Sequence, residues 1–201
     1  MNKLNATDIC NMALSYVGKG RIDSFNDATE EAKQCKIHYD HCRRRLLLAY
    51  PWGFAKRIEQ LAPLEETVPG WKYCYGYPAE CISVQFVYDE LHAKNKEMEP
   101  QDYEIVMKTA FYKVIASDVG EAYAEYIYNV KEPEVFSDEF IEALAHLLAG
   151  SIAMSITGSA TIRAQELQLA QQCTEAAKYQ SVIEKARRTQ YPRKYARERF
   201  K

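Results

Sequence analysis

Residues 71–88 read WKYCYGYPAECISVQFVY. Trp71, Tyr73, Tyr75 and Tyr77 fall on every second position, and Ile82, Val84, Phe86 and Tyr88 repeat the pattern beyond Pro78. A strand sends successive side chains to opposite faces, so the alternation predicts two strands, with the rings on one face and Lys72, Cys74 and Gly76 on the other. A hairpin through Pro78–Cys81 would pair Tyr77 with Ile82, Tyr75 with Val84, Tyr73 with Phe86 and Trp71 with Tyr88. The rings then form a packing or subunit-contact face; a platform for stacking nucleic-acid bases is the competing use.

The same alternation, punctuated by Gly and Pro, runs from Trp52 to Val130. Phe111–Ala116 and Tyr123–Val130 are further β-rich runs flanking a turn at Ser117–Gly120, and the charged stretch 89–102 reads as an exposed loop. Outside these limits the period is helical. Ile9, Met12, Ala13 and Tyr16 predict a short helix over Thr7–Val17, closed by Gly18 and Gly20. Asp27 followed by Glu30 predicts the cap of a second helix, whose stripe of Ala32, Cys35, Tyr39, Cys42, Leu46 and Ala49 ends at Pro51, with Arg43, Arg44 and Arg45 off the stripe. Ser137 predicts a third N-cap, with Phe136 stapling onto Ile141 and Leu144, Leu148, Ile152 and Ile156 running on to Gly158. A last helix runs from about Thr161 to Arg188, before Pro192.

A lone helical hairpin cannot bury both its faces, so the two terminal pairs are expected to pack together. The fold read from the sequence is α+β: a mainly helical four-helix bundle with a small antiparallel β-sheet insertion. Residues 1–51 and 137–190 form the discontinuous bundle, 52–136 the β-rich insertion and 191–201 a basic C-terminal arm.

The chain has 201 residues, 47% hydrophobic and 27% charged, with a net charge of −2, an ordinary globular composition. Its apolar runs look shorter than the roughly 20 residues that cross a bilayer, and Met1–Asn11 lacks a basic, hydrophobic leader, so no membrane role is expected. Cys10, Cys35, Cys42, Cys74, Cys81 and Cys173 contain no Cys-x-x-Cys pair and read as free thiols. Cys35, His38 and Cys42 share a helix face beside His41, but a structural zinc site needs four ligands and no second pair matches them, so no metal or cofactor is assigned. The sequence has no Gly-x-Ser-x-Gly, Walker loop or His-Glu-x-x-His. Asp138, Glu139 and Glu142 read as first-turn helix charges. No catalytic residue is assigned and no enzyme is expected.

Charge is unevenly placed. Residues 187–201, RRTQYPRKYARERFK, hold seven Lys or Arg against one Glu; this net +6 leaves −8 on the remainder. Between 118 and 142, eight acidic residues face Lys131 alone, a poor setting for holding phosphates. A basic end with interleaved rings suits an arm that orders against an acidic partner.

Laid out in order, Ala13-Leu14 before Val17-Gly18, IDSFND at 22–27, Trp52-Gly53-Phe54-Ala55, Gly70-Trp71 through Tyr77-Pro78 to Cys81, and Glu132-Pro133 before Phe136 and Phe140 resemble the tail tubular protein A family of short-tailed bacteriophages, over residues 6 to about 183. The resemblance implies a structural virion protein: a head-to-tail adaptor, or connector, forming a homo-oligomeric ring, typically a dodecamer, between the portal protein and the tail nozzle protein. Such a protein is made in the host cytoplasm and ends at the head–tail junction of the virion, with DNA passing through the ring without specific recognition and leaving through it on ejection. The basic tail is not part of that pattern. Its Arg187, Arg188, Tyr191, Arg193, Lys194, Tyr195, Arg197, Arg199 and Phe200 are the expected portal-docking contacts, and Trp71, Tyr73, Tyr75 and Tyr77 the expected sheet-packing or subunit contacts. A nucleic-acid-binding module using the aromatic face and basic tail is the alternative.

Overall fold

The computed structural model describes residues 4–90 and 100–184. Among them are four α-helices, α1 (Ala6–Tyr16), α2 (Glu30–Leu48), α3 (Asp138–Thr157) and α4 (Ala160–Glu184), and seven strands, β1 (Lys56–Gln60), β2 (Pro63–Leu64), β3 (Tyr73–Gly76), β4 (Cys81–Tyr88), β5 (Tyr103–Thr109), β6 (Tyr112–Ser117) and β7 (Tyr123–Tyr128).

The mainly helical four-helix bundle with one small sheet is not what forms. The fold is an α+β mix with two antiparallel sheets, ordered β1-β7-β4 and β2-β3-β6-β5. The helices also depart from bundle geometry. α3 packs against α1, α2 and α4, whereas α1 and α2 barely touch. The reason lies in α3 itself: Phe140, Ile141, Ala143, Leu144, Ala145, Leu147, Leu148, Ala149, Gly150, Ile152 and Ala153 are all buried, and they wrap most of its circumference. A helix apolar nearly all round is a central helix, not one wall of four. By length and composition α3 is also apolar enough to cross a membrane, at mean hydropathy 1.5, contrary to the reading that no run reaches that length. Here its neighbours cover it.

Local signals set the helix ends. The Asn5 side chain accepts from Asp8 N while Asp8 returns the bond to Asn5 N, each at 3.0 Å. Ser137 accepts from Phe140 N, and Gly158, at φ 68°, closes α3 in the left-handed conformation that glycine adopts without strain. The cap of α2 is Thr29, not Asp27; Asp27 instead accepts from Asp23 N at 2.7 Å and Ser24 N at 3.2 Å, folding the connection back on itself. Asn11 pins that connection, donating to Ile22 O at 3.0 Å and accepting from Ile22 N at 2.8 Å.

One hydrophobic core gathers Cys35, Tyr39, Cys42 and Leu46 from α2 with Leu144, Leu148 and Ile152 from α3, so the terminal helical pairs meet despite the strands between them. Ala49 is exposed. Arg43, expected off the stripe, is buried with 1% of its surface exposed. Its guanidinium donates to Val130 O and, at 2.8 Å, to Asn129 Oδ1, and pairs with Asp40. Three acceptors make that burial tolerable.

The hairpin pairing of 71–77 with 82–88 is replaced. β3 pairs with β2 and β6, with Tyr75 opposite Ile115, and β4 pairs with β7, with Val84 opposite Tyr126. Pro78–Glu80 carries the chain from one sheet to the other, with Glu80 at φ 53°. The sheets pack face to face over Tyr75, Ile115, Val84, Val87, Ala124 and Tyr126. The outer face of β3 and β6 buries Cys74, Val114 and Ala116 under Val68, while Ile127 reaches from β7 into the helical core.

Candidate interaction surface

Trp71, Tyr73, Tyr75 and Tyr77 do not share a face. Tyr75 is 1% exposed between the sheets and donates its hydroxyl to Val119 O. Tyr77 packs against the same cluster, with Lys113 Nζ 4.7 Å from its ring centroid. Trp71 lies against the opposite cluster, its Nε1 donating to Glu104 Oε2 at 2.9 Å. Tyr73 alone of the four is exposed. Strand β3 spans only 73–76, so the chain's path beyond its ends decides where Trp71 and Tyr77 go. Three rings are thereby committed to packing. The other set of expected contacts, Arg187–Phe200, lies outside the described residues.

What the sequence reading missed is the β5–β6 hairpin. Thr109 pairs with Tyr112, leaving Ala110 and Phe111 as its two-residue tip, with a register irregularity between Met107 and Thr109. Phe111 is 98% exposed, and Met107, Ile105 and Tyr112 are also exposed. Ile105 stands opposite the buried Ile115 on the face that forms the inter-sheet core. Nearer the tip, Met107 continues that row opposite Lys113. β5 is also the terminal strand of its sheet, so one side of its backbone lacks a strand partner among the described residues. The signal in the sequence was the alternation of Tyr103, Ile105 and Met107 up to a turn ending in Phe111, obscured by the charged stretch before it.

The motifs scattered along the chain converge elsewhere. Trp52 is buried, with Nε1 donating to Leu46 O at 2.8 Å. Phe140 meets it edge-on at 5.3 Å between centroids, and Phe54 and Phe136 lie 5.1 and 4.8 Å from Phe140. This aromatic cluster joins the sheet entrance, the β7–α3 connection and α3. It packs these segments against the helical core.

All six cysteines are free thiols. Burial pushes Cys42, Cys74 and Cys81 up, which keeps them protonated and unreactive. Cys10 is raised by its hydrogen bond to Cys35 and then by burial. The Cys35–His38–Cys42 arrangement dissolves in space: Cys35 turns to Cys10, while Cys42 lies 3.3 Å from Ser151 Oγ. A denser convergence of titratable groups lies between α3 and α4, where Glu142, His146 and Cys173 place ligand-type atoms within 4.8 Å of one another. Glu142 lies past the first turn of α3 and is not a first-turn charge. Glu166 Oε2 is 2.7 Å from His146 Nδ1, and the Tyr16 ring stacks on the imidazole at 4.3 Å and 12°. No protein-family model and no curated protein matches the chain.

Proposed function

We propose that the protein is a head-to-tail adaptor subunit of a short-tailed bacteriophage, joining copies of itself in a ring between portal and tail nozzle. The observation that carries this reading is the β5–β6 hairpin. A nearly fully exposed Phe at the tip of an apolar strand pair, on a terminal strand, is a costly surface for an isolated subunit and a serviceable one for a neighbour to cover. The motifs behind the phage resemblance add support, because Trp52, Phe54, Phe136 and Phe140 come from separate segments and pack as one cluster. The acidic balance outside residues 187–201 suits a channel through which DNA slides without being gripped. In this reading residues 187–201 dock on the portal.

The test is to mix the purified chain with the portal ring of the same phage and measure the complex by native mass spectrometry. A mass increment equal to a closed ring of subunits supports the proposal; portal rings that gain nothing overturn it. A labelled oligonucleotide titrated at several salt concentrations separates the rival reading. An adaptor body gives weak binding with a shallow salt dependence, whereas a nucleic-acid-binding module gives a steep one.

A further inference from the structure

We propose that α3 and α4 carry a transition-metal site, best suited to zinc, with Glu142, His146 and Cys173 as its protein ligands. Glu142 and His146 are four residues apart on α3, so both project from one face, one turn apart. The short connection at Gly158 turns α4 back along α3, and the two helices come very close. A Cβ built on Gly150 would lie 2.8 Å from the Leu167 side chain. That close approach brings Cys173 from α4 opposite Glu142 and His146, and the three potential ligand atoms fall within 4.8 Å of one another. Ligand atoms around a tetrahedral zinc sit about 3.3–3.7 Å apart, given zinc–ligand bonds of about 2.0–2.3 Å. The Glu142 side chain is exposed and can swing toward the other two ligands.

The second, independent observation is the way His146 is held. Glu166, itself 8% exposed, takes Nδ1 at 2.7 Å, and Tyr16 from α1 stacks on the ring. With its Nδ1–H donated to a carboxylate, the imidazole keeps the Nε2 lone pair for a cation, and its plane is fixed from the edge and from the face. A carboxylate behind a ligating histidine is the recurrent outer support of protein zinc sites. Glu166 and Cys173 are seven residues apart on α4, two turns along one face, so the same helix supplies the support and the ligand.

Charge favours a cation as well. The Glu142 carboxylate lies within 4.8 Å of the Cys173 thiol and the Glu166 carboxylate is bonded to His146; a divalent ion at the centre compensates both carboxylates and stabilises a thiolate. The mixed sulfur, nitrogen and oxygen donors exclude magnesium and calcium as good fits and match zinc, with one position left for water. The bound ion would staple α3 to α4 against α1. This inference does not depend on the adaptor reading.

The experiment uses the untagged, full-length chain, stripped with a chelator and kept reduced. Cobalt is titrated as a spectroscopic stand-in, then displaced by zinc. The expected result is saturation at one equivalent, with a thiolate-to-cobalt charge-transfer band in the near ultraviolet and the intense visible bands of a tetrahedral site. Cys173→Ser, checked for folding by circular dichroism, should abolish the charge-transfer band, and Cys81→Ser should leave it intact. Glu166→Gln, which removes the carboxylate bonded to Nδ1 of His146, should weaken zinc about 10- to 100-fold. One equivalent of zinc should also raise the thermal midpoint of the wild type and not of Cys173→Ser. Absence of stoichiometric binding, or a band that survives in Cys173→Ser, overturns the proposal and leaves His146–Glu166 as a plain inter-helix contact.

Discussion

In the helical half, Cys35, Leu46, Leu148 and Ile152 are at most 2% exposed and belong to one cluster fed from both ends of the chain. In the β half, two smaller clusters share the burial, and Ile58, Phe86, Ile105, Met107 and Phe111 remain exposed. A helix apolar nearly all round, covered by three others, buries almost everything it carries. Two short twisted sheets bury one interface between them and leave their outer faces and ends to be covered by other means. Stability therefore sits mainly with the helices; exposed apolar side chains occur in both halves, with Ile37, Leu48, Tyr179 and Ile183 scattered on the helices, whereas Ile105, Met107, Phe111 and Tyr112 follow one hairpin to its tip. On the proposed adaptor reading, the hairpin surface is the natural place for a neighbour.

The largest effects should come from breaking the helical side. Leu148→Ala or Leu46→Ala removes a buried side chain from the core shared by both ends of the chain, at about 2–5 kcal/mol, measured by urea unfolding. A wild-type midpoint in either variant would show that the two terminal pairs do not share one core. Next, Arg43→Leu deletes the bonds from α2 to Val130 O and Asn129, which join the helices to the end of the last strand. It should cost about 2–3 kcal/mol, and Arg43→Lys should recover only part, since a single ammonium cannot reach acceptors spread around a planar fork.

The β half should respond more weakly. Tyr75→Phe keeps the ring between the sheets but leaves Val119 O without its hydroxyl donor, for a loss of about 1 kcal/mol. The smallest effect is expected at Glu80. Hydrogen bonds from Lys131, at 2.7 Å, and Asn129 hold its carboxyl below the ordinary value of 4.5. Its contribution is therefore complete above about pH 4.5 and fades as pH falls through the lowered folded-state value. Glu80→Gln should destabilise slightly at neutral pH and make no difference in acid, seen as a gap between the two melting-temperature profiles that closes as pH falls through the lowered value of the folded state. A constant gap would remove the pair from the account.

The same division governs what could be read from the residues. The 3–4 spacing of Cys35, Tyr39, Cys42 and Leu46 fixes which face of α2 is buried, and Ser137 and Gly158 mark the ends of α3 because their side-chain oxygen and left-handed backbone act locally. Alternation in 71–88 marks strands but settles neither their partners nor all their faces: Trp71 joins the opposite cluster from Tyr75, and irregularities in β4 bury Val87 while exposing Phe86. β3 meets β6 some forty residues later, β4 meets β7, and no hydrophobic count distinguishes these pairings from a hairpin. β1 was invisible because all five of its residues are exposed. Arg43 was misread because a charge off the apolar stripe says nothing of a carbonyl waiting 87 residues away. The Glu142, His146 and Cys173 cluster draws on two helices, and only their close approach at Gly150 reveals it.

The most direct test of the central claim, that the β half keeps its apolar hairpin for assembly, is the mass of the portal complex formed by Met107→Ser/Phe111→Ser. Both side chains are exposed, so the double variant should unfold within about 0.5 kcal/mol of wild type for each substitution. The account predicts that wild-type subunits add a closed ring to the portal while the equally stable variant adds none or only scattered copies. A complete ring of variant subunits, of wild-type mass and salt resistance, would contradict it.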